Sequence, residues 1–453
     1  MRQKTEDLES GTKGEARKTA CQGTEADAAD LEGQIPNQMM EEVCLEENCR
    51  RAYRRVKSNK GAPGVDGMTV EELGPYLKEN WERIRTELLE GRYRPQPVKR
   101  VEIPKPDGGV RKLGIPTVVD RFIQQAVQQV LQRYWDESFS EASYGFRPGR
   151  SAHQAVAKAQ EYIEAGYRYV VDIDLERFFD RVSHDKLMGT LAKRITDKWV
   201  LKLIRAYLNA GALEDGLVNP TTEGTPQGGP LSPLLSNIVL DDLDKELEKR
   251  GHRFVRYADD CNIYVKTPRA GERVMQGVSD FITRKLKLKV NERKSAVAHA
   301  AKRKFLGFGF WIHRTVRRSL SPTAIERFRS RIRDYTRRTR GRSLEQVLQV
   351  LRQYMRGWFC YYGFCQTPTP VEQLEQWLRR RLRALVWKQW HYGGRRHKEL
   401  RIRGVSEDLA GRTAWSCHGP WRLAKSPALN IALPNNYFHE LGLPRLSAGM
   451  ARV

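Results

Sequence analysis

The 453-residue chain has no uninterrupted run of about 18 apolar residues and no apolar stretch behind its N-terminus. Neither a membrane span nor a secretory leader is therefore expected, and the sequence reads as intracellular. Cysteine is scarce. Cys21, Cys44, Cys49, Cys261, Cys360, Cys365 and Cys417 are odd in number and include no C-x-x-C pair, which argues against a zinc module or a disulfide scaffold. Cys44 and Cys49 stand five apart, would diverge on a helix, and have no His or second Cys pair nearby to complete four ligands. Acid is also in short supply: 55 Asp+Glu face 80 Lys+Arg, a formal charge of +25 that suits a polyanionic partner, nucleic acid before any other.

Large apolar residues are nearly missing from residues 1–38, where eight acidic and five basic side chains sit among Thr, Gly and Ala. Such a segment cannot bury enough surface to offset chain entropy, so a disordered tail is expected. From Met39 the pattern turns helical and breaks at Gly61-Ala-Pro-Gly-Val-Asp-Gly67, a loop able to follow another backbone closely. Thr69 and Glu72 predict a capping box, and a helix can run from Pro75 to about Gly91. Residues 101–113 read as strand-turn-strand around Asp107-Gly108, followed by a long amphipathic helix carrying Phe122, Ile123, Ala126, Val127, Val130, Leu131 and Tyr134. Strands and helices then alternate, which predicts an α+β body. Residues 314–345 hold eleven Arg, no Lys and three acids; residues 376–403 hold ten Lys+Arg against one acid, with Trp377, Trp387, Trp390 and Tyr392 between them. Guanidinium groups with aromatics can pair with phosphates and stack on bases, or simply form a solvated face over a core.

Two segments carry chemistry. Tyr169-Val-Val-Asp-Ile-Asp-Leu-Glu-Arg-Phe-Phe-Asp180 begins as a strand with Asp172 and Asp174 on one face and Val171 and Ile173 on the other. Phe254-Val-Arg-Tyr-Ala-Asp-Asp-Cys-Asn-Ile-Tyr-Val265 reads as two apolar strands flanking a Tyr-Ala-Asp-Asp tip. Adjacent acids there repel, form strands poorly and call for a cation. Carboxylates on separate strands are what two hard cations about 3.5–4 Å apart require.

In order and spacing these segments resemble the catalytic motifs of reverse transcriptases of the group II intron type, over about residues 40–440. The resemblance implies a right-hand polymerase of fingers, palm and helical thumb with a small basic C-terminal domain. It selects Asp174, Asp259 and Asp260 as catalytic ligands of two Mg²⁺, with Asp172 a neighbour. It makes Phe179 the side chain that excludes a ribose 2′-hydroxyl, and lines the nucleotide or primer end with Tyr257 and Ala258. Gly61–Gly67 resembles an N-terminal loop that holds template. Lys105 and Arg111 would meet the triphosphate, Arg147 and Arg150 of Ser143-Tyr-Gly-Phe-Arg-Pro-Gly-Arg150 the template or nucleotide, and Gln227 of Thr225-Pro-Gln-Gly-Gly-Pro-Leu-Ser232 the nucleotide. Asn291, Lys294 and Phe305-Leu-Gly-Phe308 match the last palm motifs, with Lys294 at the substrate. Arg356-Gly-Trp-Phe-Cys-Tyr-Tyr362 resembles a maturase signature, which implies RNA contacts for Arg356 and Trp358. Gly419-Pro-Trp-Arg-Leu423 and Leu433-Pro-Asn-Asn-Tyr-Phe438 resemble C-terminal segments of bacterial members.

The expected divisions are a tail (1–38), an N-terminal extension and start of the fingers (39–98), fingers and palm (99–312), a thumb/maturase unit (313–375) and a basic DNA-binding region (376–453) without an endonuclease module. The implied partners are an intron RNA template, a DNA primer or target and dNTPs, in a bacterial cytoplasm and at the nucleoid. A non-polymerising RNA-binding splicing factor and a host or defence reverse transcriptase remain the alternatives.

Overall fold

The computed structural model of the chain describes residues 38–104, 108–214, 217–219, 223–225, 227–338 and 341–446. The expected tail, except its last residue, Lys105 and Asp107 lie outside them. Three helices open the fold: α1 (Met39–Cys44), α2 (Glu46–Asn59) and α3 (Leu73–Leu89). Glu72 closes back on Thr69, accepting from both its backbone N–H (2.7 Å) and its hydroxyl (2.8 Å). Strands β1 (Val98–Pro104) and β2 (Val110–Ile115) pair antiparallel, Ile103 opposite Arg111. The predicted long helix is α4 (Val118–Asp136), started by the Thr117 hydroxyl accepting from Asp120 N (3.1 Å). Ser151 and Gln154 form a reciprocal capping box for α5 (Ala152–Glu164).

The functional sheet comprises β3 (Tyr169–Ile173) and three later strands. Between them lie α6 (Phe178–Arg181), α7 (His184–Ala192), α8 (Lys198–Asn209), β4 (Ala212–Glu214), β5 (Leu217–Asn219) and α9 (Ser232–Lys249). Next come β6 (Arg253–Tyr257), β7 (Asp260–Val265), α10 (Pro268–Phe281), a π-helical turn (Ile282–Leu286) and β8 (Ala296–His299). The order β6-β7-β3-β8 is antiparallel throughout, with Ile173 opposite Cys261 and Tyr257 opposite Asp260. A second sheet has the order β2-β1-β4-β5.

Strand alternation gives the central sheet two apolar faces. Val171, Ile173, Cys261 and Ile263 join a core built with the N-terminal helices, α7, α8 and α9. Val170, Val255 and Tyr264 face a second core. That core continues through β9 (Lys304–Phe305), β10 (Phe308–Ile312), β11 (Val316–Leu320), α11 (Pro322–Tyr335), α12 (Leu344–Tyr362) and α13 (Pro368–Gln389). Short helices from Gly393 to Glu440 complete it.

The expected divisions fall across these elements. The division at 312/313 cuts the β10–β11 hairpin, and that at 375/376 falls inside the 22-residue α13, because the buried stripe of that helix runs from Val371 to Trp387 without a break. The division at 98/99 likewise falls one residue inside β1. Trp387 and Trp390 are buried in the second core, so their rings pack the fold, with the guanidinium groups of Arg396 and Arg403 lying over them at 4.9 and 5.2 Å.

Candidate active site

Asp174 follows the last residue of β3, and next to it Ala258-Asp259 turn the β6–β7 hairpin, with Asp260 opening β7. Its backbone is pinned from the far side: Asp174 N donates to Ser295 Oγ (3.0 Å), and Asn291 N donates to Asp174 O (2.8 Å). At the tip Ala258 adopts left-handed φ +57°, which turns the two following carboxylates out of the strand direction. Gly145 packs so tightly against Tyr257 and Ala258 that a Cβ there would collide with their backbone. Only glycine fits.

Asp172, Asp174 and Asp260 line one cleft of about 520 Å³ with Arg293, Lys294, Arg303 and the loop Phe305–Gly307. Asp260 reaches solvent at the mouth, yet the protein around it, then Asp259, Asp172 and Asp174, push its carboxyl up to about 7 against the pull of Lys294. Burial and Asp174 also raise Asp259, while Arg111 and Arg256 oppose. The donor set is all carboxylate oxygen, the hard chemistry a divalent cation takes, and its mutual repulsion is relieved by such a charge. Asp172 is engaged elsewhere, accepting from Arg303 Nε (3.0 Å) and Nη2.

Phe179 and Gln227 meet in a separate cavity of about 100 Å³, with Thr225, Gly114 and Lys112. Phe179 O accepts from Thr225 N (2.6 Å), and Gln227 O from Gly114 N (2.8 Å). The buried Thr225 hydroxyl has no hydrogen-bond partner among the described residues, which makes it a substrate-facing candidate that motif reading passed over.

Other nominees stand elsewhere. Arg147 is buried, donating to Asp136 Oδ1 (3.0 Å) and O (2.7 Å), Ser140 O (2.6 Å) and Ser143 O (3.0 Å), and so holds its own loop together. Arg150 pairs with Glu141. Trp358 is buried against Phe328 (4.7 Å) and Tyr362 (4.9 Å), so it is core, whereas Arg356 is exposed. Lys105 lies outside the described residues.

Sequence reasoning also missed Arg256. Its buried guanidinium donates to Asp244, Asn237 Oδ1 (2.9 Å), Ser143 Oγ (2.8 Å) and Ala258 O (3.0 Å), tying α9 and the 143–147 loop to the hairpin tip.

Comparison with known proteins gives these arrangements a context. Residues 103–310 match the family model described as reverse transcriptase (RNA-dependent DNA polymerase), and residues 325–404 that of the group II intron maturase-specific domain, which itself runs through 375/376. Protein YkfC of Escherichia coli (strain K12) is 34% identical over 307 residues, 59% of this chain and 80% of YkfC. Group II intron-encoded protein LtrA of Lactococcus lactis subsp. cremoris is 31% identical over 336 residues, 59% of this chain but 56% of LtrA. The putative COX1/OXI3 intron 2 protein of Saccharomyces cerevisiae is 34% identical over 203 residues, covering 44% and 23% of the two chains.

Proposed function

The chain belongs to the family of group II intron-encoded reverse transcriptases with a maturase domain, and on that footing we propose that it copies its intron RNA into DNA and also binds that RNA to assist splicing. The observation that carries the polymerase reading is the placement of Asp174 at the end of one strand beside Asp259 and Asp260 of the neighbouring hairpin, near enough that its charge raises both of their carboxyls. The family works with divalent metal ions; we assign two Mg²⁺ to these oxygens. Their chemistry is to lower the pKa of a primer 3′-hydroxyl and to stabilise the leaving pyrophosphate.

Everything else is done by side chains. The 3′-hydroxyl attacks the α-phosphate of a dNTP, and pyrophosphate leaves. Arg111, within electrostatic reach of Asp259, and Lys105 meet the triphosphate, where a fork and a point charge suit phosphate oxygens. Phe179 blocks a ribose 2′-hydroxyl by bulk, and Gln227 and Thr225 contact the nucleotide from the same cavity. Lys294 balances the acids, while Tyr257 and Ala258 border the primer end. The exposed Arg314, Arg317, Arg327, Arg331, Arg338 and Arg356 supply phosphate contacts on the thumb side. The C-terminal region after α13, with Tyr392 and Trp415 exposed, contacts DNA.

The test is extension of a DNA primer on an RNA template by the purified protein. Mg²⁺-dependent extension supports the reading; none under any divalent cation leaves an RNA-binding scaffold.

A further inference from the structure

The loop Phe305–Gly307 forms part of the wall of the acid cleft, and its backbone is unusual: Leu306 (φ +51°) and Gly307 (φ +83°) are both left-handed. A non-glycine residue holds that conformation only where its surroundings enforce it. Here they come from the C-terminal turn of α12. Tyr361 Oη donates to Leu306 O (2.8 Å). Tyr362 closes over Gly307, where a Cβ would lie 2.7 Å from its Oη. Phe308 packs on both rings, at 5.6 and 5.5 Å. The α12 end is itself fixed on α5, since His153 Nε2 donates to Tyr361 O (2.7 Å) and the His153 ring stacks on Phe364 at 4.6 Å. A chain of contacts thus runs from α5 through the maturase signature helix to the cleft wall.

That wall shares its cleft with Asp174 and Asp260, whereas Phe179 and Gln227 line a different cavity. On the polymerase reading the primer 3′ terminus has to reach the acids of this cleft, which brings it against residues 305–307. We propose that Tyr361 is a positioning residue for the primer 3′ end: its hydroxyl holds Leu306 left-handed and so sets the loop against which the terminus lies. This inference rests on the polymerase reading. Packing alone would be served equally by phenylalanine; the hydroxyl aimed at a strained carbonyl is what packing does not explain.

Tyr361→Phe keeps the ring and deletes the bond. The probe is binding of an RNA/DNA hybrid with a recessed DNA 3′ end, measured by fluorescence anisotropy against a continuous hybrid of equal length. The variant should lose about five-fold in preference for the recessed end, the factor one neutral hydrogen bond supplies. KM for primer should rise by the same factor, with KM for dNTP and the melting temperature unchanged. Gly307→Ala should lower the same preference, and adding Tyr362→Phe, which removes the colliding oxygen, should restore part of it. An unchanged preference in Tyr361→Phe, an equal loss on both hybrids or a rise in KM for dNTP alone overturns the proposal. Wild-type failure to extend a primer counts against the polymerase reading, and the anisotropy ratio still scores Tyr361.

Discussion

Arg256 Nε donates to both carboxylate oxygens of Asp244, at 2.7 and 3.0 Å, and neither side chain is open to solvent. The same guanidinium holds Ala258 O, one residue before the paired acids. Removing one partner strands a buried charge, so Arg256→Met should lower unfolding free energy by about 3–5 kcal/mol in chemical denaturation. Combining it with Asp244→Leu should recover much of that stability but not the extension rate, because Ala258 O stays without its donor. Recovery of rate along with stability would make the pair scaffold only.

Asp259→Ala should reduce primer extension at least ~10³-fold, since several kcal/mol of charge stabilisation at the reacting phosphate depend on the metal ligands. The substitution relieves repulsion and removes no apolar packing. Affinity for intron RNA, measured by filter binding, should stay near wild type. A variant that extends at the wild-type rate would mean that the active site lies elsewhere.

Phe179→Ala should raise the ratio of kcat/KM for ribonucleotides to that for deoxyribonucleotides. The ring is only part-buried and packs edge-on against Phe178 at 5.2 Å, so truncation opens the small cavity it shares with Gln227 without emptying the main core. An unchanged ratio returns Phe179 to packing.

How much of this was legible beforehand depended on whether a local pattern carried it. The β6–β7 hairpin was readable because apolar strands flank two adjacent acids, which are poor strand formers, and the strand at Tyr169–Ile173 because its faces alternate. Motif resemblance pointed to Arg147 and Trp358 but could not say which way they face; their environment is made by residues distant in sequence, and both turn inward. Arg256 was hidden for the same reason. Its signal was on α9, where Asn237, Asp241 and Asp244 interrupt a stripe of buried Leu, Ile and Val: buried polar groups at core positions demand partners. Likewise, arginine count did not reveal that Arg318 is spent on Phe364 O (3.1 Å) and Gln160 Oε1 (2.6 Å), or that Arg383 holds Leu433 O (2.9 Å).

RNA binding should nonetheless weaken steeply with salt, because the exposed arginines of α11 and its flanks neutralise phosphates and release counterions. Replacing Arg327 and Arg331 together by Gln should flatten the slope of log affinity against log salt by about 1–2. A flat wild-type dependence would remove phosphates from the proposed contact.

The acid cluster itself sets a pH dependence whose sign can be worked out. Asp260 titrates at about 7 in the folded protein, raised by burial and then by Asp259, Asp172 and Asp174, against an ordinary value of 3.8. Between those values the folded state binds a proton that the unfolded state has released. The contribution of Asp260 to metal-free stability is therefore greatest below about pH 4, falls as pH rises toward 7, and levels off above it. Asp259, raised in the same direction, adds to the fall. Other groups titrate in this window too, so the measurement is a difference. Melting temperature is followed from pH 4 to 8 in EDTA for wild type and for Asp260→Asn, which keeps the shape and removes the charge. The variant should gain on wild type steadily as pH rises. A divalent cation replaces the missing proton, so Mg²⁺ should raise the wild-type melting temperature at pH 8, do little at pH 4 and do less for the variant. A wild-type-to-variant gap that stays constant with pH would show that Asp260 carries no such strain, and a gap that Mg²⁺ leaves untouched at pH 8 would remove the cation from these oxygens.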